Sequence, residues 1–271
     1  MRWVRGVPNA LRITHYAMSF LSAQSISHTY PSGTQALHNF SLEVNAGEFV
    51  AIVGPSGCGK STLLRILAGL LQPSSGQVRL NEQVITKPVP QIGIMFQEAA
   101  LLPWRTVAQN VALPLELGNW QLAIESSSNQ LPIANPESLI ELVGLGDFRK
   151  AYPKELSGGM AQRAALARAL VAQPPVLLLD EPFGALDAFT RESLTQAIES
   201  ICRAQGTTVI LVTHNLNEAV FLADRVIACS PRPAHALQAV PVQLPRPRAW
   251  RMEAEPAFIA AVQQTRETLH V

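Results

Sequence analysis

The residues best suited to chemistry form one short stretch, Gly54-Pro55-Ser56-Gly57-Cys58-Gly59-Lys60-Ser61-Thr62. Its spacing matches the pattern G-x-x-x-x-G-K-[ST], in which backbone N–H groups surround phosphate oxygens. Gly57 and Gly59 have no Cβ, so the backbone can curl and direct successive N–H groups inward. Lys60 can then reach the terminal phosphates, and the hydroxyl of Ser61 can bind Mg²⁺. The stretch therefore predicts nucleotide binding.

The segments on either side of this loop support that prediction. Residues 49–53 form a short apolar run, and residues 63–68 have the apolar spacing of a buried helix. The N-terminal end of such a helix adds about half a positive charge beside a bound phosphate. We therefore expect a strand, a phosphate-binding loop and a helix in succession.

A second motif, Leu177-Leu178-Leu179-Asp180-Glu181-Pro182, is an apolar strand that ends in two carboxylates. An aspartate at a strand end beside a phosphate loop is suited to hold Mg²⁺, with the nucleotide phosphates as further ligands. The next residue, Glu181, would face the attacking water, where a carboxylate can orient the water and accept its proton. An apolar strand followed by an acidic residue is common by itself, but together with the phosphate loop upstream it strongly indicates a magnesium and hydrolysis site.

A third motif, Leu156-Ser157-Gly158-Gly159-Met160-Ala161-Gln162-Arg163, begins an Ala- and Leu-rich stretch that Pro174 ends. Ser157 is a favourable N-cap for a helix over residues 161–172. The two glycines leave backbone N–H groups exposed at the positive end of this helix. The sequence therefore predicts a second anion-binding helix terminus in the same chain.

The last third of the chain alternates between strand and helix patterns. Residues 176–180 and 208–212 are β-branched, apolar runs typical of strands covered on both faces, and residues 225–229 read as one more strand. Residues 189–204 and 215–222 are the intervening helices. The pattern predicts an α/β fold, a phosphate-loop NTPase core with a mostly parallel sheet.

The remaining segments surround this core. The segment from Met18 suggests a short strand that runs into a turn at Pro31 and Gly33. Residues 37–44 lead through a turn at 45–48 into the strand before the glycine loop, which suggests an antiparallel pair at the edge of a larger sheet and so an antiparallel β edge subdomain. Residues 98–172 consist of helical pieces and loops, which predicts an inserted helical subdomain. Beyond Ser230 the prolines suggest a chain that wraps the surface before an amphipathic helix at 256–269. A cluster of arginines in that tail is expected to be solvated: Arg246, Arg248 and Arg251.

Composition excludes several classes of protein. A formal charge of +1 and 48% hydrophobic residues describe a globular chain without a surface for nucleic acid. No apolar run approaches the roughly 18 residues of a membrane-spanning helix. The three cysteines, Cys58, Cys202 and Cys229, are too scattered for a disulfide framework or a zinc site. We expect a cytoplasmic protein with reduced thiols.

The three motifs occur with Gln97, Gly184-Ala185-Leu186-Asp187 and Val212-Thr213-His214 in an order that closely resembles the ATP-binding subunits of ABC transporters. The resemblance covers about residues 18–235. Residues 1–17 are then a poorly ordered or non-native extension, with Met18 either the true start or the edge of the ordered domain. Residues 236–271 are a C-terminal tail.

The resemblance implies further site residues. Tyr30 would stack on the adenine, and Gln97 would contact Mg²⁺ and the attacking water. Ser157, Gly158 and Gly159 would bind the γ-phosphate of the ATP held by a second copy or a paralogous subunit, with Asp187 at that dimer interface. His214 would contact the γ-phosphate. The catalytic set implied is Glu181, His214 and Gln97, and the metal set is Ser61, Gln97 and Asp180.

The segment from Gln97 to Pro114, with Leu-Leu-Pro-Trp at 101–104, resembles import ATPases for nitrate, sulfonate, taurine and similar solutes. That likeness implies ATP as substrate with Mg²⁺, an integral-membrane permease, indirectly a periplasmic or lipid-anchored solute-binding protein, and a location on the inner face of the membrane. Exposed Leu102, Trp104 and Val107 would form an apolar socket for the permease; alternatively Trp104 packs inside the helical subdomain.

The alternative function is a soluble ABC-type ATPase not coupled to transport. A kinase or GTPase with a phosphate loop would lack the third motif.

Overall fold

The computed structural model describes residues 20–117 and 135–269. Residues 1–17, predicted to be an extension, lie outside the described residues. The strands are β1 (Leu21–Thr29), β2 (Gln35–Val44), β3 (Phe49–Val53), β4 (Ser75–Leu80), β5 (Gln83–Val84), β6 (Ile92–Met95), β7 (Val176–Asp180), β8 (Thr208–Val212), β9 (Arg225–Cys229) and β10 (Ala236–Pro241).

The helices are α1 (Lys60–Leu67), α2 (Val107–Glu116), α3 (Pro136–Leu142), α4 (Gly158–Val171), α5 (Ala188–Gln205), α6 (Leu216–Leu222) and α7 (Pro256–Leu269). Short 3₁₀ turns occupy Gly146–Phe148, Pro153–Glu155 and Trp250–Ala254. Among the residues that the structure describes, no helix is both long enough and apolar enough to span a bilayer.

The larger sheet has six strands in the order β10-β9-β3-β8-β7-β6. All neighbours in it are parallel except β10, which pairs antiparallel with β9. Strands β3, β7 and β8 are buried at every position, as expected for central strands covered on both faces. The predicted α/β fold with a mostly parallel sheet is therefore confirmed.

The second sheet is antiparallel, with the order β2-β1-β4-β5. β2 leads through the turn at residues 45–48 into β3, yet the two strands belong to different sheets. The predicted antiparallel β subdomain is therefore confirmed, but the expected pairing of β2 with β3 at the edge of the larger sheet is wrong. β1 and β2 instead form a separate sheet that packs over one face of it.

Successive side chains of each central strand point to opposite faces of the sheet, so the hydrophobic core is divided into two layers, one on each face. In β3, Ala51 and Val53 face the helices α2 to α7, whereas Val50 and Ile52 face α1 and the antiparallel sheet. Helix α4 contributes a run of buried alanines to the first layer. The six-stranded sheet is thus fixed between both layers, and its strand ends are rigid supports for a site.

The C-terminal segment is part of the core rather than a surface wrap. Arg248 is only 2% exposed and donates hydrogen bonds to the carbonyl oxygens of Val220, Phe221 and Ala223 at 2.8 to 2.9 Å. These carbonyls lie at the C-terminal end of α6, where helix carbonyls need outside partners. Arg246 donates to the carboxylates of Glu199 and Asp224. The expectation of a solvated cluster is wrong for both arginines, and only Arg251 is exposed.

One of the three residues proposed for an exposed apolar socket, Val107, is not exposed. Trp104 is 70% exposed, which argues against its packing inside the helical subdomain. Val107 is fully buried, because it begins α2 and packs in the core, so it does not belong to an exposed surface. Leu102 is half-buried. The exposed feature of this segment is therefore Trp104.

Candidate active site

The strand register brings the three sequence motifs to one edge of the sheet. Ile52 of β3 pairs with Val212 of β8, and Val212 pairs in turn with Asp180 of β7. The residues that follow these positions, namely the glycine loop, Glu181 and His214, therefore leave the sheet at the same level. The carboxyl edge of parallel strands is where ligands bind in such sheets.

The glycine loop is held in a conformation that only its glycines permit. Gly57 and Gly59 have φ angles of 71° and 132°. A Cβ at Gly59 would lie 2.6 Å from the carbonyl oxygen of Ala36, so any side chain there would collide with the start of β2. The loop therefore keeps its curl through both backbone freedom and close packing.

Lys60 points into the loop that precedes it. Its ammonium group donates to the carbonyl oxygens of Gly54 at 2.8 Å and Pro55 at 3.0 Å, and the residue is 6% exposed. These bonds fix the charge at the centre of the loop, where phosphate oxygens of a nucleotide would meet it. The side chain of Cys58 is buried beneath the loop, so this residue can bind phosphate only through its backbone.

Asp180 and Ser61 provide a pair of oxygen donors beside Lys60. Burial raises the pKa of Asp180, and the charge of Glu181 adds to that effect, while a hydrogen bond with Ser61 and the charge of Lys60 oppose it. One carboxylate oxygen of Asp180 is buried with no hydrogen-bond partner among the described residues. An orphaned carboxylate oxygen next to a hydroxyl is the donor set that Mg²⁺ prefers, so these residues fit the metal.

Glu181 occupies a left-handed backbone conformation, with φ of 47°. Such a conformation is unfavourable for a residue with a side chain and occurs where surrounding contacts enforce it. Here the N–H of Glu181 donates to Val212 O at 2.8 Å, and Gln162 donates to Glu181 O at 3.0 Å. His214 Nδ1 lies 3.3 Å from the Glu181 carboxylate. The carboxylate is thus aimed outward and has an imidazole beside it.

A cavity of about 450 Å³ opens at this edge of the sheet. It is lined by residues of the glycine loop and of the turn that contains Tyr30, by Gln97, Glu181 and His214, and by one arginine. These are Tyr30, Ser32, Thr34, Ala36, Ser56, Gly57, Gly59, Lys60, Ser61, Thr62, Gln97, Glu181, His214 and Arg232. The structure therefore brings together most of the residues that the sequence predicted for one nucleotide, and the hydroxyl of Tyr30 is hydrogen-bonded to Thr62 at 3.0 Å.

The third motif lies elsewhere on the surface. Ser157 caps α4 by accepting a hydrogen bond from Met160 N–H at 3.2 Å. Ser157, Gly158 and Gly159 line a different depression together with Asp187. Hydrogen bonds from Thr190 to Asp187, the cap of α5, hold the pKa of that carboxyl below its usual value. None of these four residues lines the cavity of the glycine loop.

Two residues at the site escaped the sequence interpretation. Gln162, 5% exposed on α4, donates to Glu181 O and accepts from Ala185 N–H at 3.0 Å. Its only local signal was an uncharged polar side chain near the start of an Ala-rich helix. Arg232 follows β9 and contacts the glycine loop, which no pattern near it in the sequence indicates.

Comparison with known proteins decides the family. The ABC transporter family model matches residues 37–184, which is more than half of the chain. The chain belongs to the ABC transporter family. This ABC protein is 46% identical over 212 residues to the aliphatic sulfonates import ATP-binding protein SsuB of Bacillus subtilis (strain 168), covering 78% of this chain and 79% of that protein.

A second relative and a solved structure support the same family assignment. The nitrate import ATP-binding protein NrtC of Synechococcus elongatus is 45% identical over 234 residues, which cover 84% of this chain and 35% of NrtC. The ATP-binding cassette MJ0796, in a dimeric post-hydrolysis state bound to ADP and Pi, superposes with a TM-score of 0.71 at 30% identity, covering 83% of this chain and 99% of the cassette. The chain is an ABC-type ATPase, as the sequence predicted.

Proposed function

We propose that this ATPase powers the import of a small anion such as nitrate, a sulfonate or taurine across the cytoplasmic membrane. The proposal rests on one combination: an ATP cavity with Lys60, Glu181 and His214 around it, in a chain similar along most of its length to sulfonate and nitrate import ATPases. The chain would lie on the inner face of the membrane against an integral-membrane permease. A solute-binding protein outside would deliver the cargo.

At the cavity each group has a distinct task. Lys60 and the N–H groups of residues 56–62 bind the phosphates, and Tyr30 faces the adenine. Glu181 orients the attacking water and accepts its proton, while His214 holds the γ-phosphate end of the substrate near the Glu181 carboxylate. The transition state gains most from charges and N–H groups that are already in position.

Ser61, Asp180 and Gln97 would hold Mg²⁺. The buried, unpartnered oxygen of Asp180 supports this role. When bound, the ion neutralises charge on the phosphate oxygens during hydrolysis.

A second subunit would complete the site. Ser157, Gly158 and Gly159 form an anion-binding helix terminus that lies apart from the cavity of their own chain. In a head-to-tail dimer each such terminus would face the ATP of the other subunit, with Asp187 at the interface. ATP would then hold the two subunits together, and hydrolysis would release them. This opening and closing would drive the permease.

The experiment that tests the proposed function starts from the native membrane. The tagged chain is purified in mild detergent, and the copurifying proteins are identified. We expect a multi-helix permease in the complex and ATP hydrolysis that a binding protein loaded with nitrate or a sulfonate stimulates. A chain found wholly in the soluble fraction, with full ATPase activity and no membrane partner, would instead establish the alternative of a soluble ABC-type ATPase.

A further inference from the structure

Arg232 brings a second cation to the wall of the ATP cavity. The residue lies beyond β9, far from the glycine loop in sequence, yet lines the same cavity as Lys60. Its Nε donates a hydrogen bond to the carbonyl oxygen of Gly57 at 2.9 Å, and its Nη2 donates to the same oxygen. The guanidinium of Arg232 is thus hydrogen-bonded twice to the backbone of the glycine loop.

The segment that carries Arg232 is firmly anchored. Ser230 Oγ donates to Pro233 O at 3.2 Å and accepts from His235 N–H at 3.0 Å, which closes a tight loop. Ala234 N–H donates to Ala36 O at 2.9 Å, so this loop is bonded to the beginning of β2. The position of the guanidinium is therefore set by the fold.

The contact with Gly57 holds the peptide group that joins Gly57 to Cys58. In a trans peptide the carbonyl and the following N–H point in opposite directions. Arg232 donates to the carbonyl of Gly57 on one side of this peptide, and on the other side the N–H of Cys58 donates to Pro55 O, with N and O 3.3 Å apart, which closes the loop on itself. Gly57 itself is in the left-handed region, with φ of 71°, where a flexible glycine has other conformations within reach.

We propose that Arg232 is a positioning residue for nucleotide binding: its double contact with the Gly57 carbonyl keeps the glycine loop in the closed curl that places Lys60 and the other N–H groups of the loop around a phosphate. The guanidinium also adds positive charge to a cavity that must receive a highly anionic ligand. The proposal rests on the ATP site described above. It concerns the affinity for the nucleotide, because Arg232 does not contact Glu181 or His214 and has no part in proton transfer.

The test compares three variants in the full chain: Arg232→Ala, Arg232→Lys and, as a matched control, Arg251→Ala, whose arginine is exposed away from the cavity. A fluorescent ATP analogue gives Kd, steady-state hydrolysis gives KM and kcat, and thermal melting without nucleotide gives Tm. For Arg232→Ala we expect Kd and KM to rise about tenfold, the effect of losing a charge-assisted hydrogen bond. Its kcat at saturating ATP and its Tm should match those of the wild type.

Arg232→Lys keeps the charge but cannot make the double contact, so its Kd should fall between those of the wild type and Arg232→Ala. The control should bind like the wild type. Wild-type Kd in Arg232→Ala, or a lower kcat with unchanged Kd, overturns the proposal. If Arg232→Ala does not fold, Arg232→Met, which keeps the bulk of the side chain but has neither charge nor N–H donor, takes its place with the same expected rise in Kd. Absence of binding in the wild type itself would refute the ATP site instead.

Discussion

His214 Nδ1 lies 3.3 Å from a carboxylate oxygen of Glu181, although the two residues follow different strands of the sheet. The parallel register of β7 and β8 produces this proximity, because Asp180 is paired with Val212. The His214 side chain is 63% exposed and faces the cavity, whereas that of Glu181 is 20% exposed. The position of both side chains beside the cavity is therefore set by the sheet itself.

The first prediction concerns Glu181. Glu181→Gln should still bind ATP but hydrolyse it at least about a hundredfold more slowly, since a general base contributes at least that much. With ATP present the variant should elute as a dimer in gel filtration. The control Glu255→Gln, at an exposed position of the C-terminal segment, should leave both readouts unchanged. Wild-type turnover in Glu181→Gln would show that another group accepts the proton.

A second prediction concerns Gln162, which links α4 to the backbone on both sides of the catalytic loop. Gln162→Ala removes both contacts and frees the strained backbone of Glu181 to relax. We expect kcat to fall about tenfold or more, while Kd for ATP stays at the wild-type value, because a small displacement of a catalytic group is costly. The exposed Gln264 provides the control, Gln264→Ala. Equal losses in kcat and binding would mean general damage to the fold.

The central strands were predictable because their signal is local. Residues 176–180, 208–212 and 225–229 coincide with β7, β8 and β9, since short, mostly apolar runs are characteristic of buried parallel strands. Strand β10 was not predicted. Its six residues include two alanines and a final proline, which are weak strand formers, so its strand form depends on pairing with β9.

The side chains that sequence reasoning missed or misplaced have partners far along the chain. Arg248 caps α6, Arg232 holds Gly57, and Gln162 holds Glu181. Each arginine resembles a surface charge in sequence, because a charged residue is usually exposed. By contrast, the glycine loop and the two acids at the end of β7, Asp180 and Glu181, were predictable, since their chemistry dictates both residue type and spacing. The roles of Gln97 at the metal and the attacking water, of Tyr30 at the adenine and of Asp187 at the dimer interface stay predictions.

The third prediction concerns Lys60. Lys60→Ala removes the ammonium that lies between the carbonyls of Gly54 and Pro55, so affinity for ATP should fall by at least about tenfold. Titration with a fluorescent nucleotide measures this loss. Arg65→Ala is a useful comparison, because Arg65 is exposed on the same helix and should affect binding far less. Unchanged affinity in Lys60→Ala would contradict the phosphate-loop interpretation.

A fourth prediction concerns the C-terminal segment. Arg248→Ala leaves three buried carbonyls at the end of α6 without their donor, so the free energy of unfolding should fall by about 2–3 kcal/mol. Urea denaturation measures the change, and Arg251→Ala at an exposed site should produce almost none. If the arginines of this segment were solvated after all, the two variants would have the same stability.

The last prediction uses pH to test the ion pairs around Asp224. Burial raises the pKa of this carboxyl, but hydrogen bonds from Phe49 N–H and Arg203 and the charge of Arg246 outweigh burial, so the net pKa is lowered. A carboxyl with a lowered pKa stabilises the fold above its unfolded pKa of about 3.9, and this contribution disappears as the pH falls through the folded pKa. Asp224→Asn should therefore lower Tm at neutral pH, and the difference from the wild type should shrink steadily in acid. The control Asp147→Asn lies away from these arginines, so its Tm difference from the wild type should not shrink in acid. If the Tm difference for Asp224→Asn is the same at every pH, the ionised carboxylate does not contribute to stability.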